Sequence, residues 1–322
     1  MIGSLKSFLI FRGWRWLLSL PLLLSLPWPA LAWNAAGHRL VASIAWEQLD
    51  QMTRIEVSKL LREHPDYLRW LKRAGDGDAD RVAFIEASTW PDEVRQDKRF
   101  YSAGVDEPTP TLPGFPDMER RRNWHYVNRP LDDKRQNHAP KPARNDPISG
   151  LLDQQLVALA KILGTPGAPA KARSYALPWV IHLSADAHQP LHTSIRLDAD
   201  GQWDRLGNGV NVINPFNPRK NTTTLHAFWD DLPGPHWLRG ERLEPVSRAL
   251  SSRYSRPPPS TSAQWIEESW QIARDSAYPP GDDKVPTISA EFFDKANEIA
   301  NQRITQAGYR LADLLRELLS KK

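Results

Sequence analysis

Cysteine is absent from the 322 residues, and methionine occurs only 3 times. Without thiols the chain forms no disulfide and offers no thiolate to a metal, so any ion it holds is bound through nitrogen and oxygen. Charge of one sign is scarce as well: 42 basic against 38 acidic side chains give a formal net charge of +4. Three of those bases, Lys6, Arg12 and Arg15, lie in the first 32 residues, which carry no acid, so about +1 remains from Trp33 onward. No broad basic surface follows, and attraction for an anion needs a local source such as bound metal. Internal repeats and low-complexity tracts are lacking.

Long apolar runs are also few. The one from Trp16 to Trp28 is interrupted by Pro21 and Pro27 and falls short of the roughly 20 residues that cross a bilayer. With a positive start before it and Ala30-Leu31-Ala32 after it, it reads as a signal peptide, residues 1–32, cleaved at an A-x-A site. The expectation is a secreted or periplasmic protein that begins at Trp33 and has no stable membrane association after cleavage. Length alone leaves one large domain or two open.

Helical periodicity dominates what remains. Leu40, Val41, Ile44, Ala45, Leu49 and Met52, then Ile55, Val57, Leu60 and Leu61, predict two helices between Ala35 and Pro65. Further helices are expected over 76–88, 148–163, 170–189, from about Thr223 through Asp230, over 243–254, 262–277 and 289–319. Ser88-Thr89-Trp90-Pro91-Asp92 reads as a turn, and 101–114 and 137–146 read as loops. Trp124-His125-Tyr126-Val127-Asn128 is extended in character. Val210, Val212 and Ile213 are candidates for a small hairpin in a Gly-, Asn- and Pro-rich stretch, and a linker falls at Pro257-Pro258-Pro259. The fold class is all-α, with long irregular loops and little strand.

Residues 182–192, His-Leu-Ser-Ala-Asp-Ala-His-Gln-Pro-Leu-His, concentrate the chemistry. His182 and Asp186 are four apart and share a helix face. Pro190 ends the helix and lets the chain turn back with His192. His226 and Asp230 repeat the spacing, and His38, Asp92 and His125 complete the candidates. One His-x-x-x-Asp pair on an amphipathic helix is ordinarily structural. Two pairs joined by His192 in a cysteine-free chain favour catalytic zinc, which takes imidazole and carboxylate ligands. After cleavage, the α-amino nitrogen and carbonyl oxygen of Trp33 would form a five-membered chelate, with His38 on the first turn of the next helix.

In these segments the chain resembles the zinc-dependent single-strand-specific nucleases of the S1/P1 type: Trp33-Asn-Ala-Ala-Gly-His38, Asp92 after Ser-Thr-Trp-Pro, Trp124 to Asn128, the 182–192 motif, and Leu225-His226-x-x-x-Asp230. The similarity runs in order from Trp33 to about Asp230. It implies one α-helical domain over 33–322, of the architecture shared with phospholipase C, holding three zinc ions. Asp92, His125, His182 and Asp186 would hold the first ion, His192, His226 and Asp230 the second, and Trp33, His38 and Asp186 the third, so that Asp186 bridges. It further implies a monomer that hydrolyses single-stranded DNA and RNA to 5′-phosphate products and acts on 3′-nucleotides. Asp92 and Asp186 would be catalytic, and a metal-bridging water would be the nucleophile. Arg95 would clamp the phosphate, and Tyr126 would stack on an unpaired base beside Asn128.

Several positions depart from the family pattern. Asn128 stands where fungal members carry a carboxylate, and Leu206-Gly207-Asn208 replaces a Gly-Gly-Asn loop. The absent disulfides point to a bacterial-type member. His188 would point off the ligand face, in a supporting or structural role, and His64, His138 and His236 have surface or packing contexts. Two rivals carry different expectations. Zinc phospholipases C have a glutamate where the last helical motif here ends in Asp230, and a periplasmic zinc-binding protein would need neither Tyr126 nor Arg95.

Overall fold

Helix formation starts immediately after Trp33 because Asn34 caps it. The Asn34 side-chain oxygen accepts the Ala36 and Gly37 amides at 2.9 and 3.3 Å, satisfying donors that a first helical turn leaves free. The computed structural model describes residues 33–73, 77–131, 149–197, 201–281 and 283–320. The proposed leader, the 137–146 loop and His138 lie outside them.

In chain order the helices are α1 Ala35–Gln48, α2 Gln51–Arg62, α3 Tyr67–Leu71, α4 Ala79–Ala87, α5 Trp90–Glu93, α6 Leu152–Gly164 and α7 Ala170–Asp186. After a hairpin of β1 Asn211–Ile213 and β2 Thr222–Thr224 come α8 Leu225–Asp231, α9 Leu243–Arg253, α10 Ser262–Ser276 and α11 Ala290–Leu319. The hairpin is the only sheet among the described residues. The protein is thus mainly helical with little strand, as the periodicity predicts. Caps fix the starts: Asp50 accepts from Thr53, Thr224 from Ala227, Ser289 from Phe292, and Thr261 with Gln264 forms a reciprocal box ahead of α10.

Three local expectations are corrected. The Ser88–Asp92 turn continues into α5, because Pro91 sits in a first helical turn, where its missing N–H costs nothing. The helix expected to reach 189 stops at Asp186. There His188 and Gln189 bond three residues back, to Ala185 and Asp186, and the chain tightens before a 3₁₀ turn over Pro190–Thr193. The Trp124–Asn128 segment opens as a 3₁₀ turn over Arg122–Trp124 rather than as a strand. Trp124 packs 4.8 Å from Trp179, and the chain pairs with the other ligand segment only from Val127 on. Val127 N–H donates to His192 O at 2.9 Å, and Leu131 N–H donates to Ile195 O at 2.8 Å.

The helix that carries the motif is also the most enclosed. Every residue of α7 from Ser174 to Asp186 is buried, and it packs against α1, α2, α6 and α11. A helix apolar on every side belongs at the centre of a core, so His182 and Asp186 are placed in an interior that ordinarily excludes them. Across the molecule, α11 lies along α1 at Gly308, where a Cβ would come within 2.6 Å of Ile44. Only glycine permits that approach.

Candidate metal centre

Three helices and one loop segment deliver the first group of side chains. Asp186 Oδ2 lies 3.2 Å from His182 Nε2 and 3.2 Å from His125 Nδ1, while its Oδ1 lies 3.5 Å from His38 Nε2. Asp92, on α5, faces the same point, 3.8 Å from His125, 3.9 Å from His182 and 3.9 Å from His38. The two oxygens of Asp186 therefore look toward different partners. A second group forms where the 190–193 turn meets α8: His226 Nε2 is 3.4 Å from Asp230 Oδ2, and the His192 and His226 rings are 5.0 Å apart. His192 Nδ1 is 3.8 Å from Asp186 Oδ1, which links the groups.

Ligand atoms converge in three sets, Asp92-His125-His182, His38-His182-Asp186 and His192-His226-Asp230, each within 4.8 Å. The resemblance implies a somewhat different division: here Asp186 groups with His38 and His182 rather than with Asp92, His125 and His182, and Trp33 belongs to none of the three sets. Trp33 is fully buried and precedes Asn34, whose N–H donates to the Asp230 carbonyl at 3.1 Å.

Backbone carbonyls fix the imidazoles. Ser88 O accepts from His182 Nδ1 at 2.7 Å, His125 O from His192 Nδ1 at 2.6 Å, and Leu206 O from His226 Nδ1 at 2.6 Å. Each proton is held on Nδ1, so Nε2 is left as a lone-pair donor aimed inward, the arrangement that metal-ligating histidines use. Gln189 does the same for the carboxylate of α8, donating to Asp230 Oδ1 at 2.8 Å. Sequence reasoning missed Gln189, although its place inside the 182–192 motif was a usable signal.

Burial is nearly complete and compensation is not. Both nitrogens of His38, Nε2 of His125 and of His192, and both oxygens of Asp186 are buried without a hydrogen-bond partner. Desolvation, then neighbouring imidazoles or arginines, holds His38, His125 and His192 well below the usual histidine range, so they are neutral. Burial pushes Asp186 up to about 6 and Asp230 well above the carboxylate range. His182 is the exception: burial opposes its charged form, but Asp186 and Asp92 outweigh it and raise the pKa. Uncompensated polar groups of this kind cost several kcal/mol in total. Neutral imidazoles and carboxylates with converging lone pairs fit divalent cations, and the donor set suits zinc.

The S1/P1 Nuclease family model matches residues 33–320. The chain belongs to the S1/P1 nuclease family. Among its relatives, Endonuclease 5 of Arabidopsis thaliana is 24% identical over 330 residues, covering 95% of this chain and 97% of the relative. Endonuclease 4 of the same plant is 24% identical over 91% of each chain. Nuclease S1 of Aspergillus oryzae is 27% identical over 159 residues, 42% of this chain and 52% of the relative. The protein is accordingly a hydrolytic nuclease of a metal-dependent family, acting on nucleic acid.

Above the ligands of this nuclease opens a pocket of about 270 Å³, lined by Arg95, Tyr126, Asn128, Arg122, Arg205 and Leu206 together with His125, His192 and His226. Arg95 sits 3.3 Å from Asp92 Oδ1, and its Nε is buried without a partner. Tyr126 is held by its backbone: Leu152 N–H donates to Tyr126 O at 3.0 Å, and a Cβ on Gly150 would lie 2.2 Å from that oxygen. His188 faces away from the ligands, as its position in the motif predicts. It donates from Nδ1 to Ser184 O at 2.8 Å and meets Arg310 at 2.9 Å through Nε2. His64 is buried among Trp70, Trp90 and Phe115. His236 is exposed beside Asp231.

Proposed function

We propose that residues 33–322 form one exported, monomeric domain. It binds three zinc ions and cuts phosphodiester bonds of single-stranded DNA and RNA to 5′-phosphate products, with activity on 3′-nucleotides as well. The observation that carries this reading is the gathering of three ligand sets, two of them sharing His182, beneath a pocket walled by Tyr126 and arginines. Removal of residues 1–32 is proposed from the apolar run and the Ala30-Leu31-Ala32 site that ends it.

Bound by these ligands, zinc supplies charge neutralisation of the phosphate and a nucleophile near neutral pH. The chain's own groups do the rest. Asp92, His125 and His182 orient one side of the cluster, and His192, His226 and Asp230 the other, with their rings fixed by Ser88, His125 and Leu206 carbonyls. Arg95 offers its guanidinium to a phosphate oxygen while held by Asp92. Tyr126 offers a ring face to a base, which a duplex would keep stacked and hidden. Asn128 lines the same pocket and presents an amide rather than a carboxylate to it.

The test compares hydrolysis of single-stranded and duplex DNA, with and without chelator, alongside elemental analysis of the purified mature chain. Three zinc per chain and chelator-sensitive cutting of the single strand are expected. Activity on phosphatidylcholine without activity on DNA would instead select the phospholipase. Full zinc occupancy with no phosphodiesterase activity between pH 5 and 8 would select a zinc-binding protein. N-terminal sequencing of the exported form, expected to begin at Trp33, checks the localisation.

A further inference from the structure

The pocket wall is asymmetric in charge. Arg95, Arg122 and Arg205 line it, and no carboxylate does. Arg95 is tied to Asp92, but Arg122 and Arg205 have no side-chain hydrogen bond or ion pair among the described residues. Elsewhere in the protein several arginines are matched, Arg120 with Asp106, Arg129 with Glu267, Arg253 with Glu298 and Arg256 with Asp313. Burial, then the adjacent Arg95 and Arg120 guanidiniums, presses the Arg122 pKa down, and the nearby Asp106 only partly offsets them.

The two guanidiniums flank different parts of the cluster. Arg122 opens the 3₁₀ turn that leads to His125. Arg205 precedes Leu206, whose carbonyl fixes His226. Its placement is also strained: Arg205 and Leu206 both have positive φ, 51° and 63°, in the left-handed region that residues other than glycine enter at a cost. The loop is held there from both sides. Asp204 accepts from Gly207 N–H at 3.1 Å and from Arg196 N–H at 3.0 Å, and its carbonyl accepts from Gly209 N–H at 2.7 Å. Arg205 is thus presented from a fixed backbone rather than from a mobile surface.

We propose that Arg122 and Arg205 each take a phosphate of the strand on either side of the bond being cut, so that the pocket selects polynucleotide chains over mononucleotides. The proposal rests on the nuclease reading of the same site. The metal ligands and Arg95 serve the scissile phosphate. A single phosphate would leave both outer arginines unmatched, whereas a continuous strand supplies an anion to each.

Binding of a phosphorothioate-backbone dodecathymidylate, which resists cutting, tests this on the full mature chain by fluorescence anisotropy across a salt series, with zinc bound. Each neutralised phosphate contributes a slope of about 0.7 in log affinity against log salt for a single strand. Arg122→Gln and Arg205→Gln are each expected to make the slope shallower by about 0.7, and the double variant by about twice that. Arg248→Gln, on the outer face of α9, should leave it where it was. On cleavable oligothymidylate, kcat/KM should fall about tenfold or more per variant, while hydrolysis of bis(p-nitrophenyl) phosphate falls less than about twofold. Slopes unchanged in both variants, or an equal change in Arg248→Gln, would overturn the proposal. So would equal losses on the two ester substrates. Salt-dependent strand binding that responds to both arginines but is accompanied by no hydrolysis would uphold the strand contacts and sink the nuclease mechanism instead.

Discussion

Asp186 shows most clearly what the site demands of a single residue. It is fully buried, both oxygens lack a hydrogen bond, and its pKa is pushed up to about 6. Keeping it ionised at neutral pH without a cation costs about 3 kcal/mol, since raising a pKa by one corresponds to about 1.4 kcal/mol. Asp186→Asn should therefore have opposite effects in two states. In metal-free protein at pH 7.5, thermal unfolding should occur at an equal or higher temperature than in wild type. In zinc-loaded protein the variant should be less stable and should lose zinc from two positions, whereas Asp230→Asn should lose it from one. Elemental analysis showing equal losses would argue against a bridging carboxylate. His64 gives a second test at this scale. Burial holds its pKa at about 3, against 6.5 when unfolded, so its contribution is complete above pH 6.5 and is lost as pH falls toward 3. His64→Asn keeps an acceptor for the Asp66 N–H, which donates to His64 Nδ1 at 3.1 Å. Between pH 7 and pH 5 wild type should lose about 2 kcal/mol more stability than this variant, measured by denaturant unfolding.

Elements decide whether such residues meet, and here the sequence was legible in part. The i, i+4 pairs on α7 and α8 were visible because helical periodicity fixes their face. Pro190 announced the reversal that brings His192 back. Nothing local announced that 122–124 would wind into a 3₁₀ turn, because Trp124 is drawn there by Trp179, which is distant in sequence. The same holds for the support behind the motif. Arg303 and Arg310 of α11 share Glu268 of α10, at 2.6 and 2.7 Å, and Arg303 donates to the His188 carbonyl while Arg310 meets its ring. Periodicity marks α11 as a helix but cannot say that its buried arginines brace the turn between Asp186 and His192. Arg303→Met should expose that role. It removes the donor to Trp265 O, Ser269 Oγ and Glu268, of which Glu268 keeps Arg310 and Ser269 keeps the Ala187 carbonyl, a loss of about 2 kcal/mol. Zinc affinity should fall about tenfold or more, as when other outer supports of ligands are removed. A destabilised variant with wild-type zinc affinity in a competitive chelation assay would confine the arginine to folding.

At the scale of the whole molecule, the segment around Trp33 and the metal centre are one structural problem. Trp33 is fully buried, Gly37 packs so closely that a Cβ there would lie 2.7 Å from Trp33 Cβ, and the Asn34 N–H is bonded to Asp230 O. Asn34 also ties its side chain to Asp231 at 3.0 Å and to Gly234 O at 2.7 Å, so the backbone at Trp33 is locked against the helix that carries His226 and Asp230. Sequence alone supplied the order of the ligand segments, but not this closure, which depends on residues almost 200 positions apart. If the α-amino nitrogen of Trp33 is a ligand, it becomes one only when residues 1–32 are gone, because an amide nitrogen carries no lone pair for a metal near neutral pH. A protein retaining one methionine ahead of Trp33 should then hold two zinc ions rather than three. It should also lose most activity on single-stranded DNA, while its circular dichroism remains that of the mature form. Recovery of the third zinc and of activity on removing that methionine with an aminopeptidase would separate ligation from misfolding. Full activity with three zinc ions and the methionine still in place would refute the claim.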